Sequence, residues 1–490
     1  MNRICFTLAI LLSSLFAQPN FADERPNVLV LFTDDQRSDT IGFLGNDLIQ
    51  TPNIDRLYRE GTHFQRAYCM GSMHGAVCIP SRAMLMTGKS IYRTNMKLKQ
   101  ETTFPELFGK AGYTTFGTGK WHNGQPSFKE SFQQGKTILF GGMSNHEKVP
   151  IRDMNPDGSL TEQREAVGFS STIFADAAVE FLNQQNGEKP FLCYVAFSSP
   201  HDPRMPPAPY DETYRGNNLP PLPGNFLPQH PFNTGAMAVR DEVLGPWPRT
   251  ETLIREQTAD YYGMISHMDA QIGRILKVLD DRDLRDNTLV IFAADHGLAM
   301  GSHGLLGKQS LYEHSMHTPV CVSGPGVAEN HSTDQFIYLF DLFPTLCDYA
   351  SIECPKGIDG ISLRPLLEGK SQITRPHIFT TYSNLIRAVR DDRWKLIRWP
   401  KIDKTQLFDL ANDPLELNDL SQNEDQHTRV LDMTKQLTKL QKDYFDEQPL
   451  VDDKRLPEFI DLQTIKRNPD RWQPKWIVDK YFKKTEAPQK

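Results

Sequence analysis

Four apolar runs that each stop at ionisable residues constrain this 490-residue chain more than any other feature. Asn27 to Thr33 reads NVLVLFT and ends in Asp34-Asp35. Thr288 to Ala294 reads TLVIFAA and ends in Asp295-His296-Gly297. Pro190 to Phe197 reads PFLCYVAF and ends in Ser198-Ser199-Pro200-His201, while the shorter run Tyr113 to Gly117 leads into Gly119-Lys120-Trp121-His122. Continuous apolar runs of this length are the pattern of central strands buried on both faces. In α/β sheets, ligand sites collect outside the carboxyl ends of the strands. A single Asp-Asp after a strand reads as turn chemistry, but four polar ends of this kind predict that the clusters meet in space.

Helical spacing separates these runs. Phe174, Ala178 and Phe181 share one face over residues 174–184, and Ile265, Met268, Ile272, Ile275 and Leu279 do so over residues 259–280. Residues 203–250 are rich in Pro and Gly and show no period, which predicts a long irregular surface loop of the kind that shapes clefts. The pattern changes near residue 376. His377 to Tyr382 and Ile386 to Arg390 alternate like antiparallel strands, and Trp394 to Trp399 and Gln406 to Leu410 follow. Asn412-Asp413-Pro414 marks a turn, and His427 to Phe445 reads as an amphipathic helix. The tail from 446 is charged and Pro-punctuated and is expected to wrap the surface. The expected organisation is a signal peptide over 1–22, an N-terminal catalytic domain over 23–375, and a C-terminal α+β subdomain with a tail over 376–490.

A net charge of -7 and the lack of any basic tract argue against nucleic-acid binding. Residues 1–22 read as a secretory signal, with Arg3 ahead of an apolar stretch from Ile4 to Ala17 and plausible cleavage after Ala17 or Ala22. That stretch is too short for a comfortable membrane span, and no later segment is long and apolar enough. The mature protein is therefore expected to be periplasmic or secreted, without stable membrane insertion. Of seven cysteines, Cys5 leaves with the signal. Cys347 and Cys354 are close enough to bridge in an exported protein, although sequence leaves their pairing open.

The stretch Cys78-Ile79-Pro80-Ser81-Arg82, followed by Ala83-Met84-Leu85-Met86-Thr87-Gly88, resembles the signature of the type I sulfatases, the formylglycine-dependent family of the alkaline phosphatase-like superfamily. The resemblance implies an α/β fold with a large, mixed, mostly parallel central sheet flanked by helices, plus a smaller C-terminal α+β domain carrying an antiparallel sheet and a helix. It also implies that a maturation enzyme, the formylglycine-generating enzyme, oxidises Cys78 to 3-oxoalanine. The hydrated aldehyde carries two hydroxyls on one carbon: one attacks sulfur, and the other expels sulfate. Pro80 suits the first turn of a helix that continues over 81–86, which sets position 78 near a positive helix end. Arg82, one turn on, would pair with the hydrate.

The same resemblance extends to the strand ends. Asp34, Asp35, Asp295 and His296, together with the modified Cys78, look like the ligands of one calcium ion, a hard cation that prefers oxygen. The nitrogen of His296 is unusual for calcium and leaves room for a transition metal. Lys120 would bind a sulfate oxygen and His122 would act as base in the elimination step. Pro200-His201 and Gly307-Lys308, the latter followed by Tyr312-Glu313, match further family segments, with His201 and Lys308 competing for the role of acid on the departing alkoxide. His74 and His303 are expected to line the pocket, His303 as a substrate contact. The run His314-Ser315-Met316-His317-Thr318-Pro319 departs from the family, where many relatives carry an Arg before the Pro.

Hydrolysis of a sulfate ester is the expected activity, with a sulfated poly- or oligosaccharide, an algal one among them, as substrate. Choline and aryl sulfates are the small-molecule alternatives. A phosphodiester or phosphonate monoester hydrolase of the same superfamily is a second enzyme reading, although one carboxylate cluster favours the monoanionic sulfate. A non-catalytic sulfoglycan-binding protein ranks last, because neither the cysteine nor a metal carboxylate is missing.

Overall fold

A computed structural model describes residues 25–371 and 374–483. The expected signal peptide lies outside the described residues. The four apolar runs of the sequence become four adjacent strands, Thr288–Ala294, Asn27–Thr33, Phe191–Ala196 and Thr114–Lys120, at the centre of an eight-stranded sheet. All four run parallel, with Thr33 level with Ala294, Phe32 level with Ala196, and Gly119 level with Ala196. Their polar ends therefore emerge at one edge. Val320–Ser323 pairs antiparallel with Thr288–Ala294, which makes the sheet mixed.

Alternation along the central strand assigns its two faces. Leu29 and Leu31 pack with Phe174, Phe181, Met268 and Ile272 from the helices Ser170–Asn183 and Glu251–Asp281. Val28, Val30 and Phe32 pack on the other face with Met84, Leu85, Phe104 and Phe343. Both faces are covered, as continuous apolar strands require.

Among the boundaries that differ from the sequence reading, two concern the central sheet and its longest helix. The Thr114–Lys120 strand runs three residues past Gly117, so Lys120 is its last residue rather than part of a following loop. The long helix begins at Glu251, eight residues before 259, because Thr250 caps it by accepting from the Leu253 amide at 3.2 Å. The first turns are polar on their outer side, and this masks their period.

The C-terminal sheet contains Ile378–Tyr382, Ile386–Arg390, Trp394–Trp399 and Lys404–Asp409 in antiparallel order, covered by the His427–Asp443 helix through Met433 and Leu437. A fifth strand, Gly71–Ser72, joins its edge in parallel with Thr381 and Tyr382. The sheet thus takes a strand from just ahead of Cys78. Residues 203–250 are irregular apart from short turns at Tyr210–Thr213, Gly216–Asn218 and Glu242–Leu244. The tail returns over this segment. The Asn233 amide donates to the Glu458 carbonyl at 2.6 Å, and Ile477 and Tyr481 pack on Leu253. The described cysteines form no disulfide, Cys347 and Cys354 included. No helix among the described residues is long and apolar enough to cross a membrane.

Candidate active site

Cys78 opens the Cys78–Thr87 helix, and Pro80 sits in its first turn, where its missing N–H leaves no bond unmade. Ser81 ties the helix to the sheet by donating its hydroxyl to the Asp295 carbonyl at 2.7 Å. The thiol faces the ends of the central strands. His296 Nε2 lies 3.2 Å from Cys78 Sγ, Lys308 Nζ lies 3.3 Å away, and Asp35 Oδ1 lies 3.7 Å away. Asp34, Asp35, Cys78 and His296 offer donor atoms that all lie within 4.8 Å of one another. Asp295 sits beside them, with Oδ1 3.6 Å from His296 Nε2, accepting from the Asp35 amide at 3.0 Å and from Arg82 at 3.2 Å.

Local backbone choices aim these groups. Gly119 adopts φ 87°, and a Cβ there would stand 1.9 Å from the Ala196 carbonyl. Only glycine permits that approach, and the irregularity it creates in the strand precedes Lys120, whose ammonium meets Asp34 Oδ2. Lys308 straddles both oxygens of Asp35 at 2.8 and 2.9 Å. His296 donates Nδ1–H to the Gly297 carbonyl at 2.9 Å, which turns Nε2 towards Asp35 and Cys78. His201 likewise donates Nδ1–H to the Asp202 carbonyl at 2.8 Å and presents Nε2 3.8 Å from Asp35.

The Sulfatase family model matches residues 26–352, a span that contains all of these residues. The chain belongs to the sulfatase family. It is a sulfuric ester hydrolase. A second model, for the C-terminal region of N-sulphoglucosamine sulphohydrolase, matches residues 301–443. An arylsulfatase of Clostridium perfringens is 29% identical over 455 residues, covering 83% of this chain and 92% of the relative. An N-acetylglucosamine-6-O-sulfatase of Bacteroides thetaiotaomicron is 26% identical over 527 residues, covering 91% and 92%. A structure solved with its substrate D-glucosamine-2-N,6-O-disulfate superposes with a TM-score of 0.73 at 24% identity, covering 87% of this chain and 99% of the other. A phosphonate monoester hydrolase of Agrobacterium radiobacter reaches 0.69 at 23% identity, covering 86% and 97%. At these identities the structural likeness is one of fold.

Burial dominates the electrostatics of this sulfatase. It pushes the Cys78 thiol well above the usual range against the pull of Lys120 and Lys308. It lifts Asp35 to about 6, with Lys308 and His296 opposing. Burial also works to raise Asp295, but His296, Arg82 and Lys120 hold that carboxyl well below the ordinary value. Lys308 stays protonated: burial disfavours its charge, and Asp35, Cys78 and Asp241 outweigh that effect. His201 and His122 are driven well below the usual imidazole value, first by burial and then by the neighbouring lysines.

Arg82 does not reach the thiol in the way the sequence suggests. Its guanidinium points into the sheet end, donates to Asp295 and to the Lys120 carbonyl, and lies 3.6 Å from Asp34. His122 adopts φ 69° and sets its ring against Gly142, with Nδ1 buried and unpartnered. His303 stands apart from the cluster. It stacks on Tyr312 at 4.0 Å, and its nitrogens meet the Glu416 carbonyl and Asn225. His74 is exposed.

Three groups that sequence reasoning missed complete the surroundings. Asp241, from the Pro-rich segment, lies 3.9 Å from Lys308 and accepts from Gln309 at 2.6 Å. His146 holds the His201 carbonyl at 2.9 Å. Asp202, next to His201, pairs with Arg240. Adjacency to His201 could have drawn attention to Asp202, but no period or motif marks the other two.

Proposed function

We propose that this sulfatase hydrolyses a sulfate ester of a carbohydrate, with Cys78 matured to 3-oxoalanine as the nucleophilic position and one calcium ion held by Asp34, Asp35, Asp295 and His296. The convergence of His296, Lys308 and Asp35 on Cys78 Sγ carries this reading. As a plain thiol, Cys78 is a poor nucleophile: burial holds it protonated, and the thiolate is the reactive form. Maturation supplies a geminal diol whose two hydroxyls divide attack and release between them.

The donor set fits a hard cation. Asp34 Oδ1 is buried and makes no hydrogen bond, with the Arg82 guanidinium 3.6 Å away, and a carboxylate oxygen left so is open to a closer cation. The turned Nε2 of His296 supplies one nitrogen, which a divalent transition metal would also accept. The ion would polarise a sulfate oxygen as a Lewis acid.

The chain's own residues divide the remaining work. The ammonium groups of Lys120 and Lys308 offset the charge of the bound sulfate. His122, neutral and with a free buried Nδ1, takes a proton as base. Between the two candidates for the acid, the geometry favours Lys308. The Nδ1–H of His201 is committed to the Asp202 carbonyl, so its Nε2 accepts rather than donates, whereas Lys308 carries protons against the thiol.

A sugar substrate is supported by the C-terminal match to N-sulphoglucosamine sulphohydrolase and by the N-acetylglucosamine-6-O-sulfatase relative. The apolar leader at 1–22 supports a periplasmic or secreted location, where sulfated polymers are met. The test is peptide mass spectrometry across residue 78 on active enzyme, together with release of sulfate from sulfated glucosamines and release of phenol from a phenyl phosphonate ester. Conversion lowers the peptide mass by about 18 Da as SH plus H is replaced by O. Full activity with an intact thiol, or turnover of the phosphonate alone, refutes the reading.

A further inference from the structure

We propose that the C-terminal tail is a working part of the active site: Asp470 and Gln473 are positioning residues that fix Asp202, and through it His201. This rests on the reading of His201 as a substrate-facing residue.

Arg240 is the hub. Its NH1 donates to Asp202 Oδ1 at 2.8 Å while NH2 pairs with Oδ2, a two-pronged grip on one carboxylate. The same guanidinium donates from Nε and NH2 to Asp470 Oδ2 at 2.9 and 2.6 Å. A third carboxylate, Asp241, accepts from NH1 at 3.0 Å. Gln473 adds its own donor to Asp202 Oδ2 at 2.9 Å. Three carboxylates surround one guanidinium, so Arg240 is saturated as a donor and serves as a joint rather than an anion receptor.

The joint reaches both arms of the site. Asp202 takes the Nδ1–H of His201 on its carbonyl, and its Oδ1 lies 3.4 Å from the same nitrogen. His146 holds the His201 carbonyl from the opposite side. Asp241 contacts Gln309 and neighbours Lys308. The tail therefore sets the outer boundary of an imidazole whose inner boundary belongs to the sheet.

The tail is anchored on both sides of this contact. Arg467 donates to the Val243 carbonyl at 3.0 Å, and beyond Gln473 the Lys475–Tyr481 helix buries Ile477 and Tyr481 against Leu253. A tail kept for cohesion alone would need only those apolar contacts. Asp470 and Gln473 instead point at polar groups beside the chemistry. A buried carboxylate such as Asp202 has to be satisfied from every side, and its partners Arg240 and Gln473 come from two irregular segments.

The experiment uses full-length, matured enzyme as wild type and as Asp470→Asn, Asp470→Glu, Gln473→Ala and His201→Ala, with p-nitrophenyl sulfate as the probe. We expect Asp470→Asn and Gln473→Ala each to lower kcat about tenfold with KM within about twofold, since small misplacements near reacting groups cost rate. Asp470→Glu should recover most of that loss, melting temperatures should hold, and amide exchange over residues 198–204 should quicken in the two impaired variants. Wild-type kcat and exchange in both variants overturn the proposal, as does a fall in melting temperature that tracks the fall in rate. Full turnover by His201→Ala overturns the reading of the site itself. An inactive His201→Ala beside a fully active Asp470→Asn sinks the tail's role alone.

Discussion

Arg82 and Asp295 meet at 3.2 Å inside the protein, each shielded from solvent, and the contact joins the Cys78–Thr87 helix to the end of a central strand. The arginine's remaining bonds go to the Lys120 carbonyl and towards Asp34. It therefore acts as a counter-charge for two buried carboxylates. Replacing it with Met removes the guanidinium that faces both carboxylates in a dry site, leaving Asp34 to Lys120 and Asp295 to His296 and Lys120. We expect Arg82→Met to lose about 3–5 kcal/mol of stability, the cost of breaking a buried pair by removing one partner. Urea unfolding of the two proteins checks this. A midpoint unchanged from wild type would show that the guanidinium is dispensable there.

Stripping divalent ions should lower both activity and melting temperature, because an ion bound only by the folded state stabilises it by mass action. Calcium should restore both effects. Asp34→Asn should abolish the calcium-dependent rise in melting temperature, since it takes away the carboxylate charge that the ion would meet. Indifference of the melting temperature to EGTA and calcium alike contradicts the assignment.

Lys308 and His201 separate by leaving group. If Lys308 protonates the departing oxygen, Lys308→Ala should slow a sugar sulfate by roughly 10²–10⁴ and a p-nitrophenyl sulfate by much less, since nitrophenolate leaves without a proton. His201→Ala should slow both esters alike. The reverse pattern assigns the acid to His201.

His146 gives a pH signature. Burial lowers this imidazole from 6.5 to about 4, and both of its nitrogens are engaged, with Ser170 and the His201 carbonyl. The folded value is depressed, so the unfolded chain binds the proton first. Its contribution to stability is fully present above pH 6.5 and is lost as pH falls towards 4. The span corresponds to about 3 kcal/mol. Denaturation of wild type and His146→Gln across this window should show wild type losing more stability on acidification. Parallel curves would exclude the effect.

Much of this arrangement was legible in the chain. The runs ending at Asp34, Lys120, His201 and Asp295 are neighbours in the sheet because continuous apolar strands need cover on both faces and hence a central place. Cys78, Lys308 and His296 were identified through the family resemblance, and the structure brings them together. Asp241, Arg240, Asp470 and Gln473 were not legible. They lie in segments without periodicity, and their partners are distant in sequence, so only the folded chain pairs them. Arg82 was read as facing the nucleophile because spacing fixes which turn a helical residue occupies, but not whether a stronger partner lies on its other side. His303 is expected from the sequence to line the pocket, and in the fold it stacks on Tyr312.

Gly71–Ser72 bears on when Cys78 becomes enclosed. Among the described residues this short strand pairs with Ile378–Tyr382 alone, so its place in the sheet cannot be taken until most of the polypeptide exists. Cys78 follows closely behind it and ends almost wholly enclosed, at 2% exposure. If Cys78 is matured as proposed, the enzyme that converts it has to reach the thiol before the folding chain encloses it, and the order of synthesis then becomes a gate on catalytic competence.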